Sequence, residues 1–152
     1  MKKIIASLIA VLFLSVLAEA KAGGPFGLGV MVGAPTGVTG KYWTSSTRAW
    51  TGALAFDVGH YHDDAFYLNI MHNWHDFHLA SVSRGDLPFY LGVGGRLWAA
   101  HHFGLGVRGC GGVSWMPPVT PIDIFLEIGV VVDIVEDRGG DVDLGLGFRY
   151  YF

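Results

Sequence analysis

The amino-acid sequence predicts an all-β fold: an eight-stranded antiparallel up-and-down transmembrane β-barrel behind a cleavable N-terminal signal peptide. Three observations predict it. Apolar and polar residues alternate with period two over segments of strand length. Gly accounts for 23 of 152 residues, well above the ~7% average. The chain is 51% apolar, yet after residue 20 no apolar run approaches the ~20 residues of a spanning helix. A barrel wall explains all three, because its lipid face must be apolar and its crowded interior favours small side chains.

The first element is a targeting segment. Lys2 and Lys3 form a positive n-region, Ile4 to Leu17 is almost wholly apolar, and Ala18-Glu19-Ala20 offers small residues where a signal peptidase cuts. Residues 1–20 are thus expected to be a signal peptide and residues 21–152 the barrel domain. No Cys follows the apolar run, so there is no lipidation signal. Removing Lys2, Lys3 and Glu19 moves the formal charge from −3 to −4. An acidic balance excludes a nucleic-acid binder, which needs a basic surface to neutralise phosphates. The single Cys110 can form no internal disulfide and reads as a buried free thiol.

Eight segments then alternate. Phe26 to Gly33 sets Phe26, Leu28, Val30 and Val32 against Gly27, Gly29, Met31 and Gly33. Gly37 to Thr44 sets Val38 and Tyr42 against Thr39, Lys41 and Trp43. Ala49 to Val58 sets Trp50, Leu54, Phe56 and Val58 against Thr51, Ala53, Ala55 and Asp57. Ala65 to His75 sets Phe66, Leu68, Ile70 and Trp74 against Tyr67, Asn69, Met71 and Asn73. Leu87 to Trp98 sets Phe89, Leu91, Val93 and Leu97 against Tyr90, Gly92, Gly94, Arg96 and Trp98. Phe103 to Trp115 sets Leu105, Val107 and Val113 against Arg108, Cys110 and Ser114. Ile122 to Ile134 is the clearest: seven aliphatic residues on one face, and Asp123, Glu127 and Asp133 on the other. The last strand sets Val142, Leu144, Leu146, Phe148, Tyr150 and Phe152 against Asp143, Gly145, Gly147, Arg149 and Tyr151. Most segments are near the ~9–11 residues that cross a bilayer at a tilt.

Gly, Pro, Asp and Ser dominate the connections, as turn chemistry requires. An even strand number puts both ends of the barrel chain on one side, the periplasm in this class. The outer connections are then residues 34–37, 59–64, 99–102 and 135–141, all short. The longest connection, His78 to Asp86, falls on the periplasmic side, against the usual pattern. Either the strand around Trp74 extends further, or the protein departs from the rule.

Alternation alone does not separate a soluble sandwich from a barrel. The ending Gly147-Phe148-Arg149-Tyr150-Tyr151-Phe152 does. Its alternating aromatics and final Phe resemble the terminal signature of bacterial outer-membrane proteins, with Phe148, Tyr150 and Phe152 as the assembly signature. With the signal peptide and eight strands, the chain resembles the small outer-membrane barrels of the OmpA/OmpX type. The segments Gly33-Ala34-Pro35-Thr36-Gly37, Lys41-Tyr42-Trp43, Pro88-Phe89-Tyr90 and Asp123 to Ile128 are similar to an uncharacterised short-barrel subgroup. The resemblance implies a location in the bacterial outer membrane. It also implies outer-membrane lipid and the barrel-assembly machinery as partners, the latter through the C-terminal strand, and no settled activity.

Eight strands enclose only enough room for side chains. The inward set holds Lys41, Arg96, Arg108 and Arg149 against Asp57, Asp123, Glu127, Asp133 and Asp143. Buried charges must pair, so the expectation is a charge-paired plug in a monomeric structural or surface-binding barrel. A narrow pore is the alternative. Outward Tyr42, Trp50, Trp74, Phe103, Trp115, Tyr150 and Phe152 fit interfacial belts.

All seven His lie between residues 60 and 102. His60, His62, His101 and His102 fall in outer loops and are weak candidates for Zn²⁺ or Cu²⁺, without diagnostic spacing. No cofactor is expected. His72, His75 and His78 read as interfacial. A lipid-modifying hydrolase needs a Ser activated by a His that an acid orients. Ser114 is the only Ser after Ser83, no His follows residue 102, and the outer loops lack Ser. The expectation is therefore not an enzyme, with no catalytic residue to assign. A surface ligand remains open, though the short outer loops offer little of the ~800 Å² that a specific interface buries per partner.

Overall fold

The computed structural model describes residues 24–34, 36–56, 66–99, 103–135 and 139–152. They form eight strands: β1 (Phe26–Ala34), β2 (Thr36–Trp43), β3 (Arg48–Phe56), β4 (Phe66–Asp76), β5 (Phe89–Ala99), β6 (Phe103–Trp115), β7 (Ile122–Val135) and β8 (Gly140–Tyr151). Each pairs antiparallel with the next, and β8 returns to β1 from Gly27↔Tyr151 to Ala34↔Leu144. The closed sheet leaves no backbone edge unpaired. The expected eight-stranded barrel is the fold.

Gly24 and Phe152 lie at one end of the barrel, here called proximal, with the connections 44–47, 77–88 and 116–121. The expected turn at residues 34–37 is tighter than the sequence suggests, because β1 runs to Ala34 and β2 starts at Thr36. Gly33 makes this close return feasible. Its φ is +137°, and it exchanges hydrogen bonds with the Thr36 hydroxyl at 3.0 and 3.1 Å. The long proximal connection stays long: β4 stops at Asp76 and β5 starts at Phe89. It is not free of the sheet, since Asp86 and Met116 exchange backbone hydrogen bonds at 2.9 Å. Gly85, at φ +101°, turns the chain into that contact, where a Cβ would meet the Met116 carbonyl oxygen.

Side chains sort by face as alternation dictates. In β7, Ile124, Leu126, Ile128, Val130, Val132 and Ile134 point outward and are 37–58% exposed, while Asp123, Phe125, Glu127 and Val131 are buried. Inward rings lie over the glycine opposite them on the adjacent strand: Tyr90 over Gly112, Trp98 over Gly104, Phe125 over Gly147, and Tyr151 over Gly27. A Cβ on any of these glycines would sit within 2.9 Å of the ring facing it. The glycine excess therefore has a packing cause: a barrel this narrow holds large rings only where the facing wall has no side chain.

Outward aromatics collect at both ends. Tyr42, Trp50, Trp74, Trp115 and Tyr150 mark the proximal end, and Phe56, Phe66 and Phe103 the distal end. The rings touch as edge pairs, Trp50–His72 at 4.9 Å and Phe56–Phe66 at 5.4 Å between centroids.

Candidate functional site

The charged side chains of the strands converge inside the cylinder in two layers. The proximal layer is built on Asp123 of β7, which is fully buried. It accepts hydrogen bonds from the Tyr151 hydroxyl at 2.7 Å, from Arg149 at 3.4 Å and from Lys41 at 3.5 Å. Arg149 also donates to the Thr39 hydroxyl at 3.1 and 3.2 Å. Two cations share one carboxylate here, and aromatic faces take the surplus. The Lys41 ammonium lies 4.2 Å from the Trp43 ring centre, and the Arg149 guanidinium 3.7 Å from that of Phe125. Such contacts gain strength where water is excluded.

The distal layer is built on Arg108 of β6. Its guanidinium meets Glu127 at 2.8 Å and forks onto both oxygens of Asp143. Such bidentate pairing is the strong form of the interaction. Glu127 also accepts from the Tyr90 hydroxyl at 2.8 Å. Arg96 completes the layer, 3.1 Å from Asp141 and 3.9 Å from Asp143, and lies over the Tyr67 ring at 4.6 Å. Between the layers is a void of about 20 Å³ lined by Thr39, Thr51, Asn69, Arg108, Glu127 and Arg149, among others. That admits one water molecule, which needs ~10–15 Å³. Asn69, whose buried side-chain oxygen has no hydrogen-bond partner among the described residues, is one of the residues that line it.

Among the residues expected in the interior network, the structure brings together Lys41, Arg96, Arg108, Asp123, Glu127, Asp143 and Arg149. Asp133 does not join them as expected. It is half-buried, and among the described residues it makes no ion pair and one of its oxygens has no hydrogen-bond partner. It lies opposite Gly106, two residues distal of the Arg108↔Val131 pair, and its carboxylate faces that glycine, which offers no cation. Asp57 lies outside the described residues, as do residues 1–23 and the loop histidines His60, His62, His101 and His102. Among the described residues, no group of three His, Cys, Asp or Glu side chains is placed to hold a metal ion.

The sequence does not assign four interior residues their place or role: Asp141, His75, Tyr90 and Tyr151. Asp141 was placed in a turn, yet it shares a face with Asp143 two residues on, so extending β8 by one alternation step would have found it. His75 was placed at the interface. It follows Met71 and Asn73 on the inward face and is buried, stacked on Tyr90 with centroids 5.1 Å apart. The hydroxyls of Tyr90 and Tyr151 were assigned inward without a role. Ser114 is also fully buried inside, and its hydroxyl has no partner among the described residues.

No family model and no curated protein matches the chain. Among solved structures it is similar to the N-terminal β-barrel domain of Pseudomonas aeruginosa OprF, with a TM-score of 0.63 at 12% identity. The likeness covers 86% of this chain and 99% of that one. At that identity it shows the fold alone. The class defined by fold and interior is a small closed β-barrel filled with paired charges.

Proposed function

We propose that this chain is an integral barrel of the bacterial outer membrane, exported behind residues 1–20, whose interior is a salt-bridged plug. Its role is structural or surface-binding; it does not conduct. The observation that carries this reading is the inversion of polarity. The outward wall carries Val30, Leu54, Ile70, Leu91, Val107, Ile128 and Leu146 in exposed positions, while Lys41, Arg96, Arg108, Asp123, Glu127, Asp143 and Arg149 are buried. A water-soluble fold would lose the hydrophobic gain of the first set and carry the desolvation cost of the second. In lipid, the same arrangement has the outward aliphatic side chains in their preferred medium and the strand hydrogen bonds made within the closed sheet. The C-terminal strand, with Phe148, Tyr150 and Phe152, is then the handle for assembly, and bilayer lipid is the main partner.

Two measurements test this. The barrel should fold only in detergent or vesicles, with the heat-sensitive gel mobility of a closed barrel; a folded, monodisperse protein in plain buffer would end the membrane reading. Purified protein in a planar bilayer should show no steady conductance, because the void between the layers holds one water and no hydrated ion. Steady channel currents would overturn the plug.

A further inference from the structure

The outward wall is not uniform. Between β4 and β8 near the proximal end it sinks into an apolar groove of about 830 Å³, lined by Trp74, Phe89, Leu91, Gly111, Val113 and Ile128, among others. That volume lies in the ~300–1,000 Å³ range of small-molecule sites. The floor is shallow at Gly111, which faces outward with no side chain. The proximal rim is the long 77–88 connection, whose Leu79 also lines the groove although it is 69% exposed. This connection is held close to the wall: the Trp115 indole N–H donates to the Arg84 carbonyl oxygen at 3.0 Å, and Asp86 pairs with Met116.

We propose that this groove seats a phospholipid of the proximal leaflet, one acyl chain lying along Gly111 and the headgroup meeting the 77–88 connection. The proposal rests on the membrane reading above and deepens it by naming a bound lipid. Two features of the surface select this occupant. The groove is continuous with the aliphatic wall that the bilayer would cover, so acyl chains are the molecules at hand. The proximal side of the groove also offers charges that complement a zwitterionic headgroup: Asp76 lines the groove, one oxygen accepting from the His78 N–H at 2.7 Å, and Arg84, outside the lining itself, is exposed on the same 77–88 connection without an ion pair among the described residues. An ethanolamine phospholipid offers an ammonium for the first and a phosphate for the second. The unusual length of this proximal connection then has a use, as a rim that reaches lipid.

The test counts lipid retained by the full-length mature protein after extraction from vesicles of phosphatidylethanolamine and phosphatidylglycerol into mild detergent, by native mass spectrometry. Wild type should keep one phospholipid, with phosphatidylethanolamine preferred. Gly111→Phe fills the floor; its Cβ would lie 3.3 Å from the flexible end of Leu91, which can yield. Retention should fall roughly tenfold, equivalent to ~1.4 kcal/mol of lost contact. Leu79→Asp, in a connection rather than a strand, should do the same and serves if Gly111→Phe does not fold. Gly52→Phe fills a second outward groove of about 400 Å³ and should leave retention unchanged. Undiminished retention in both Gly111→Phe and Leu79→Asp, or no retained lipid in wild type, overturns the seat while leaving the barrel in its membrane. A wild-type chain that folds without detergent fails the membrane reading instead, and the two failures are distinct.

Discussion

The two charged layers solve the same problem in opposite ways. The proximal layer holds Lys41 and Arg149 against Asp123, one cation in excess. The distal layer holds Arg96 and Arg108 against Glu127, Asp143 and Asp141, one carboxylate in excess. Together the two balance. The proximal surplus is spread over the rings of Trp43 and Phe125 in a region closed to solvent. The distal surplus resides on Asp141, whose side chain is 54% exposed. An excess positive charge can be buried against aromatic faces, whose quadrupole attracts it. An excess carboxylate has no such apolar partner and is left where water reaches it. The proximal layer should therefore be the more fragile to loss of one charge.

Asp123→Asn is the strongest way to break that comparison. It removes the only carboxylate of the proximal layer and leaves Arg149 buried without a counter-charge and Lys41 without its carboxylate partner. Breaking a buried pair from one side costs ~3–5 kcal/mol, and the upper part of that range is expected here. Denaturant unfolding of the detergent-folded barrel, followed by tryptophan fluorescence, measures it; an unchanged midpoint would contradict the layer's dependence on one carboxylate. Arg108→Gln makes the equivalent change distally and should cost less, about 3 kcal/mol. Glu127 would keep the Tyr90 hydroxyl and Asp143 would keep Arg96 nearby. If Arg108→Gln proves the more damaging of the two, the ranking of the layers is reversed.

Most of this arrangement was legible in the sequence, for a definite reason. Period-two alternation fixes which face each side chain takes, so Lys41, Arg96, Arg108, Glu127 and Arg149 could be placed inside before any pairing was known. Pairing itself was not legible. Lys41 and Asp123 are 82 residues apart, and their meeting depends on the stagger accumulated around the barrel, which no local pattern encodes. The same holds for rings over glycines: Phe125 and Gly147 are each readable as inward, but their opposition is a matter of register. Asp133 shows the limit from the other side. Alternation puts it inward, and it does face inward, but its neighbour across the ladder is Gly106 rather than a cation, so facing inward does not by itself make a pair.

Smaller changes sharpen the contrast. Tyr90→Phe deletes a buried hydroxyl that donates to Glu127 while Arg108 continues to neutralise that carboxylate. A hydrogen bond to a charged group is worth ~1.5–3 kcal/mol, and the lower part of that range is expected in the same unfolding experiment. Loss on the scale of Asp123→Asn would mean that Glu127 depends on the phenol more than on the guanidinium.

Asp141→Asn should have the least effect, under ~1 kcal/mol, as for other exposed pairs. Its partner Arg96 is buried, which at first suggests a large loss. Arg96, however, retains Asp143 at 3.9 Å and the Tyr67 ring at 4.6 Å, and the removed charge is the surplus one. The variant leaves the distal layer with two cations and two carboxylates, an exact match that the native layer lacks. A loss as large as that of Arg108→Gln would show that the exposed carboxylate is needed to hold Arg96. The excess negative charge at the distal mouth would then be a structural member of the plug rather than its solvated remainder.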